Sequence, residues 1–205
     1  MAFGPASAGA APDWDALTRE VTACRACAEL AATRQRVVVG DPGPGPDARL
    51  VFVGEAPGAQ EDAAGRPFVG KAGQLLDQLL NDSGMARAEV AVLNVIKCRP
   101  PGNRRPSSDE IARCRPFLER QLGLLRPRLI VALGLTAAAW FLGGPGGRRT
   151  TLAAARGVVH EVRGYRVIAT YHPSAAIRFG PAGAPLAALR EDLDFAARVL
   201  AGVSR

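Results

Sequence analysis

Four short, mostly apolar runs separated by helical stretches constrain the fold of this 205-residue chain more than any other feature. They predict strands at Arg49–Gly54, Val90–Ile96, Leu129–Leu133 and Tyr165–Ala169. Runs of this length and composition are typical of strands buried on both faces of a parallel sheet. The alternation of strands and helices therefore predicts an α/β fold, with three α/β/α layers around a central, four-stranded, mostly parallel sheet.

The helices between these strands have recognisable beginnings. Asp13 is expected to cap a first helix that runs through Trp14 to Leu30 and carries Cys24 and Cys27 towards its end. Three further helices are predicted: one at Ala72–Leu80, one after the capping box Ser107-Ser-Asp-Glu110, and one at Pro185–Leu200. A short edge strand is predicted at Val158–Val162.

A single domain is predicted over residues 13–205, preceded by a flexible tail at residues 1–12. The tail is small and apolar but has no basic segment, so a secretory signal is not expected. The Pro/Gly-rich stretch Asp41–Asp47 is interpreted as a linking turn inside the domain. No apolar run is long enough to cross a bilayer, which excludes a membrane-spanning protein.

The net charge of +7 is distributed unevenly along the chain. Residues 1–97 contain 9 Lys and Arg against 12 Asp and Glu, whereas residues 98–205 contain 17 against 7. Such segregation favours a face that binds a polyanion such as nucleic acid. The alternative is a compositional bias towards arginine, since 24 of the 26 basic residues are Arg.

The four cysteines form a C-x2-C pair, Cys24 and Cys27, followed by Cys98 and Cys114. In a chain without a secretory signal, this pattern indicates a metal or cluster site rather than two disulfides. Spacing alone leaves zinc and an iron–sulfur cluster open, because four thiolates hold either group.

Polar residues follow three of the predicted strands. Glu55 comes after the first strand, Asn94 lies at the end of the second, and His172 follows the last. Each could have a structural role, as a loop cap, a sheet-edge amide or a buried histidine. Because ligands of parallel sheets bind beyond the carboxyl ends of the strands, their joint placement favours a functional site. The loop Gly54–Gly58 lacks both the G-x-G-x-x-G and the P-loop pattern, which argues against nucleoside triphosphate chemistry.

Taken together, the motifs at these strand ends resemble those of family-4 uracil-DNA glycosylases. The resemblance runs from about Cys24 to the C-terminal helix, and the pattern C-x2-C…C-x15-C supports it independently. The motifs that carry it are Gly54-Glu-Ala-Pro-Gly58, Glu61-Asp62, Gly65-Arg-Pro-Phe-Val-Gly70, Ala72-Gly73, Asn94-Val-Ile-Lys-Cys-Arg-Pro-Pro101, Asn103-Arg104 and Tyr171-His-Pro-Ser174. A related group of proteins, which becomes covalently linked to uracil, carries a histidine in the segment after the second strand. The corresponding segment here, Arg104-Arg105-Pro106-Ser107, contains no histidine, so the chain does not resemble that group.

The resemblance implies hydrolysis of the N-glycosidic bond of deoxyuridine in DNA, leaving an abasic site. Glu55 and His172 would be catalytic: Glu55 would position the water and offset the cationic sugar, while His172 would donate to uracil O2. Asn94 would pair with O4 and N3–H of the base. Phe68, on an exposed loop, would stack on the flipped pyrimidine.

The remaining site residues surround this pocket in the same resemblance. Ala56 and Pro57 would line it through their backbone, and Glu61 and Asn103 would support the pocket or hold the water. The residues expected to meet the DNA are Arg104, Arg105, Ser174 and Arg178 at its backbone, with Ile177 as a wedge in the vacated stack. The four cysteines Cys24, Cys27, Cys98 and Cys114 would hold a [4Fe–4S] cluster.

The expected partner is uracil-containing DNA, single- or double-stranded, bound by a monomer in the cytoplasm at the nucleoid, with no membrane partner. Two alternatives stay open. A non-catalytic iron–sulfur or zinc DNA-binding module would explain the charge and the cysteines, but not the joint placement of Glu55, Asn94 and His172. A glycosylase of the same fold acting also on hypoxanthine or xanthine would, by the resemblance, lack the glutamate at position 55.

Overall fold

One sheet forms the centre of the computed structural model, which describes residues 14–143 and 151–202. Its strands within these ranges are β1 (Leu50–Gly54), β2 (Val90–Asn94), β3 (Leu129–Leu133), β4 (His160–Val162) and β5 (Tyr165–Thr170). The strand order is β2-β1-β3-β5-β4; all neighbours pair in parallel except β4, which runs antiparallel to β5 at one edge. The α/β prediction is confirmed, and β4 brings the strand count to five.

The helices connect and cover these strands. They are α1 (Trp14–Ala23), α2 (Ala28–Thr33), α3 (Ala59–Ala64), α4 (Lys71–Asp82), α5 (Ser108–Leu125), α6 (Leu135–Leu142), α7 (Leu152–Ala155), α8 (Pro173–Phe179) and α9 (Ala184–Leu200). Within the described ranges, no helix combines the length and the apolar composition needed to cross a membrane.

The first helix differs from its prediction. Instead of running on to Leu30, it ends at Ala23, and Cys24 and Cys27 lie in the turn before α2. The backbone of Cys27 has extended dihedral angles, and its carbonyl oxygen accepts the first hydrogen bond of α2. Arg25 donates to carbonyls at the end of α1, which satisfies groups that the break leaves unpaired. The predicted cap Asp13 and the predicted tail lie outside the described residues.

Alternate side chains of each central strand enter opposite apolar cores. In β1, for example, Val51 and Val53 face the core beneath α5 and α6, whereas Leu50 and Phe52 face the core beneath α4 and α9. This two-residue alternation is what a sheet covered on both faces requires. The three strands β1, β2 and β3 are buried along their whole length, so only their ends are available for a site.

The capping box predicted for α5 is present. The Ser107 hydroxyl accepts from the backbone N–H of Glu110 at 3.2 Å, and a Glu110 carboxylate oxygen accepts from the backbone N–H of Ser107 at 2.8 Å. This fixes the start of the helix that carries Cys114.

We expect Ser107→Ala to lower the free energy of unfolding by about 1 kcal/mol, the usual cost of losing an N-cap side chain. Urea unfolding followed by circular dichroism measures this difference. Ser108→Ala is the matched control, because the Ser108 side chain makes no hydrogen bond within the described residues. Equal losses in the two variants would contradict the role of the cap.

Candidate active site

A cleft of about 510 Å³ opens at the carboxyl ends of β1, β2, β3 and β5. Most of the residues predicted to contact the base, the water or the DNA line this cleft. They are Glu55, Ala56, Pro57, Glu61, Phe68, Asn94, Asn103, Arg104, Arg105, His172, Ser174 and Arg178. Ile177 does not line the cleft. Gly134, Leu135, Leu152 and Tyr171 also line it, although the sequence analysis did not select them.

Asn94 is buried at the floor of the cleft, with 2% of its surface exposed. Its Oδ1 atom has no hydrogen-bond partner within the described residues. Gly54 makes room for this amide: a Cβ there would lie 2.5 Å from Oδ1 and 2.8 Å from the Phe68 ring. A buried acceptor without a partner is costly, so this position suits a ligand that brings an N–H donor.

Phe68 is buried rather than placed on an exposed loop, which corrects the sequence prediction. Only 7% of its surface is exposed, and its ring belongs to the apolar core beneath α4 and α9. The ring still borders the cleft, with its centroid 5.5 Å from that of His172. Its backbone lies in the left-handed region, at φ 53°, which is uncommon for a residue other than glycine.

Glu61 holds the turn that carries Phe68. One carboxylate oxygen accepts from the backbone N–H groups of Val69 and Gly70, at 3.0 and 2.8 Å. The other accepts from the backbone N–H of Gly58 at 3.1 Å, at the start of α3. Glu61 therefore fastens the Phe68 turn to the loop that follows Glu55, in keeping with the supporting place predicted for it.

Glu55 accepts a hydrogen bond from the hydroxyl of Thr136. Thr136 lies in the first turn of α6, where the positive end of the helix dipole favours a carboxylate. The turn depends on Gly134, whose φ is +87°, and a Cβ at this position would lie 3.1 Å from the Cβ of His172. The sequence analysis missed Thr136, and its only signal was a position just beyond the third strand.

The ring of His172 is held as a neutral imidazole. Its Nδ1 atom accepts the backbone N–H of Ser174 at 3.2 Å and lies 2.8 Å from the Ser174 hydroxyl. Because a backbone N–H can only donate, Nδ1 is unprotonated, and the ring proton is on Nε2. Desolvation by burial lowers the pKa of His172 to about 4, and the nearby charge of Glu61 only partly opposes this effect.

The basic residues at the rim fall into two groups. Arg105 and Arg178 are exposed, and neither side chain has a hydrogen-bond or ion-pair partner in the described part of the chain. Arg104 instead binds both carboxylate oxygens of Glu110, at 2.9 and 2.7 Å, and Glu29 at 2.6 Å. Arg104 thereby joins the cleft rim to α5 and α2. A phosphate of DNA would have to compete with these two carboxylates for its guanidinium group, so the contact with DNA stays a prediction.

Two other predicted residues also have alternatives in the structure. The side chain of Asn103 is exposed and accepts from Arg99 Nε at 2.8 Å, so its amide oxygen is already engaged. Ile177 is 44% exposed on α8, and Phe179, which the sequence analysis did not select, is 64% exposed at the end of the same helix. The roles of Asn103 and Ile177 stay predictions.

All four cysteines are free thiols and line a second, smaller cavity. It lies between the α1–α2 turn, the segment after β2, and α5. Arg34 donates to the Cys98 sulfur at 2.9 Å and to the Cys24 carbonyl at 2.6 Å. Burial raises the pKa of Cys98, and raises that of Cys114 to about 11. Among the residues described, no three His, Cys, Asp or Glu side chains converge on a point where they could hold a metal ion.

Lys97 lines the cysteine cavity and also contacts the end of β2, from which Asn94 faces the cleft. It is 1% exposed, and its ammonium donates to the backbone carbonyl of Asn94 at 2.7 Å. Burial lowers the pKa of Lys97 to about 8, while the neighbouring Cys114 and Cys98 act in the opposite direction. The sequence analysis quoted Lys97 within a motif but gave it no role.

Comparison with known proteins agrees with this architecture. A sequence-family model described as "Uracil DNA glycosylase superfamily" matches residues 42–194. The chain is 45% identical over 163 residues to a type-4 uracil-DNA glycosylase of Thermotoga maritima, covering 79% of this chain and 82% of that relative. It is 44% identical over 168 residues to the type-4 enzyme of Archaeoglobus fulgidus, covering 80% and 82%.

A type-5 uracil-DNA glycosylase of Thermus thermophilus is less similar, at 33% identity over 192 residues, covering 79% of this chain and 87% of that relative. By the span of the family match and by these identities, the chain belongs to the uracil DNA glycosylase superfamily and, within it, to the type-4 family.

Proposed function

We propose that this chain removes uracil from DNA by hydrolysing its N-glycosidic bond, leaving an abasic site. The names of its type-4 relatives support this activity. The observation that carries it is the buried, unpartnered Oδ1 of Asn94 in the same cleft as a neutral His172. An acceptor and a donor placed in this way complement N3–H and O2 of a uracil base.

Asn94 selects the base. Its Oδ1 accepts from uracil N3–H, and its amide nitrogen donates to O4. Cytosine presents the opposite polarity at both positions, so binding it would leave buried polar groups unpaired, and discrimination is correspondingly large. The target nucleotide leaves the stack at a cost of a few kcal/mol and places its ring against Phe68. The backbone of Ala56 and Pro57 lines the same pocket.

His172 and Glu55 stabilise opposite charges as the glycosidic bond breaks. The Nε2–H of His172 donates to O2, where negative charge develops on the departing base. Glu55 positions the attacking water and offsets the positive charge on the sugar. The hydroxyl of Thr136 fixes the Glu55 carboxylate. A neutral histidine suits this role, because it donates a hydrogen bond without needing a proton from solvent.

The DNA backbone would lie along the rim that carries Arg105, Arg178 and Ser174, with Ile177 as the wedge. Within the described ranges the guanidinium groups of Arg105 and Arg178 have no ion-pair partner, which supports this placement, since phosphate contacts supply much of the affinity for DNA. We propose that the chain acts as a monomer. Its proposed substrate is uracil-containing DNA, single- or double-stranded, in the cytoplasm at the nucleoid.

The cysteine site would hold a [4Fe–4S] cluster. Four free thiols around one cavity provide the donor set that such clusters use. Four thiolates also hold zinc, so the metal content of the purified protein distinguishes the two groups. When bound, the cluster would cross-link the α1–α2 turn to α5 and hold the loop after Cys98 beside the DNA.

Uracil release tests the proposed activity. An oligonucleotide carrying one deoxyuridine, incubated with the protein and then treated to cleave abasic sites, should break at that position, and free uracil should appear. Without the cleaving treatment, the strand should stay intact. A protein that binds the oligonucleotide and releases no base would instead be the non-catalytic binding module. Oligonucleotides with hypoxanthine or xanthine test for the broader enzyme.

His172→Ala should lower the single-turnover rate at saturating protein by about a hundredfold or more, with little change in DNA affinity. The reason is that its hydrogen bond strengthens only as charge develops. Arg178→Ala should do the reverse, weakening binding and flattening its dependence on salt. Rates and dissociation constants are measured separately for both variants. A His172→Ala variant that cleaves at the parent rate would exclude this mechanism.

Protein purified from cells should be brown, with broad visible absorption and bound iron, and Cys98→Ser should bleach it and lower its solubility. Iron and zinc contents per chain provide the measurement. Ser108→Ala, whose side chain does not line the cysteine cavity, serves as a control that keeps its colour. A colourless parent with one zinc per chain would overturn the assignment.

His172 should also make the fold less stable as pH falls from 6.5 towards 4. In this window the unfolded histidine binds a proton that the folded one excludes, so the free energy of unfolding falls with pH. On going from pH 7 to pH 5, the free energy of unfolding should therefore fall in the parent by about 1–2 kcal/mol more than in His172→Gln. Urea unfolding at both pH values gives the comparison, and equal losses would contradict the depressed pKa.

A further inference from the structure

The segment Asn94–Cys98 contacts both the cleft and the cysteine site. At its start, Asn94 presents its amide to the cleft floor, and at its end Cys98 lines the cysteine cavity. Between them, Val95 and Ile96 donate backbone hydrogen bonds to Gly54 and Glu55, at 2.9 and 3.2 Å. Any shift of this segment would therefore move the residues that read the base.

Lys97 is the buried charge in this segment. In the described part of the chain it forms no ion pair with a carboxylate, although a fully buried lysine is costly unless a negative group compensates it. The Cys98 and Cys114 sulfurs line the same cavity as Lys97, and its ammonium donates to the carbonyl of Asn94 at 2.7 Å.

We propose that Lys97 is the positioning residue through which the cysteine site controls base recognition by Asn94. This inference rests on the proposed function. Thiolates that hold a cluster carry net negative charge, which retains the ammonium beside the cysteine cavity. The ammonium in turn holds the Asn94 carbonyl, and with it the amide that faces the base. Without the negative charge, the ammonium loses its compensation and the end of β2 loses its fixed position.

Base recognition is measured separately from catalysis with a non-cleavable probe. The probes are single-stranded oligonucleotides that carry one 2′-fluoro-2′-deoxyuridine or one 2′-fluoro-2′-deoxycytidine. The ratio of the two affinities reports discrimination by Asn94. Lys97→Met, at full iron content, should lower this ratio about tenfold, a loss typical of removing one coupled contact. It should also make the reduction potential of the cluster more negative, because a nearby positive charge is gone.

Two further variants separate this role from simple destabilisation. Lys97→Arg keeps the charge and should restore part of the affinity ratio and of the potential. Gln121→Met is the matched control: Gln121 is also fully buried and donates to a backbone carbonyl, that of Val39 at 2.8 Å. It should lower the unfolding midpoint and leave the affinity ratio unchanged. Iron-loaded Lys97→Met with the parent's ratio would overturn the proposal.

If Lys97→Met does not retain iron, the parent freed of its cluster by chelation gives the comparison. The same low ratio in both proteins supports the coupling, whereas a cluster-free parent that keeps its ratio overturns it. Uracil release by the untreated parent is measured first. A parent that releases no uracil overturns the proposed function, while a releasing parent with an unaffected Lys97→Met variant overturns only the coupling.

Discussion

Two backbone hydrogen bonds continue the pairing of β1 and β2 past the end of β2, from Val95 to Gly54 and from Ile96 to Glu55. They bring the loop that carries Glu55 alongside the segment that begins with Asn94. The absence of a side chain at Gly54 then lets the Phe68 ring and the Asn94 amide approach each other. The floor of the cleft is thus an extension of the sheet, and it has the rigidity of paired backbone rather than of a free loop.

Opposite that floor, the first turns of two helices set the polar groups. Thr136 begins α6 and holds the carboxylate of Glu55, while His172 caps α8 and has its tautomer fixed by the backbone of Ser174. Neither arrangement depends on a long, flexible side chain. In the proposed mechanism, the groups that would stabilise charge during bond cleavage are thus held in place before substrate arrives, which would limit the reorganisation that the reaction requires.

Local patterns in the sequence were enough to predict the sheet, the capping box at Ser107 and the strand ends where Glu55, Asn94 and His172 meet. These features depend on short-range periodicity and on the geometry of parallel strands. The break of the first helix at Cys24 was not predictable in this way, since apolar spacing continues across it. The burial of Phe68, the bond from Thr136 to Glu55 and the pairing of Arg104 depend on residues distant in sequence, which no local pattern encodes.

The position of the cysteines also has a consequence for synthesis on the ribosome. Cys24 and Cys27 precede Cys114 by more than 85 positions, and α1 packs its Leu17 and Val21 near Phe117 of α5. At translation rates of about 5–20 residues per second, the N-terminal thiols emerge several seconds before the helix that covers them. During that interval the nascent chain exposes two free thiols and the apolar face of α1, because the helix that covers them has not yet been made.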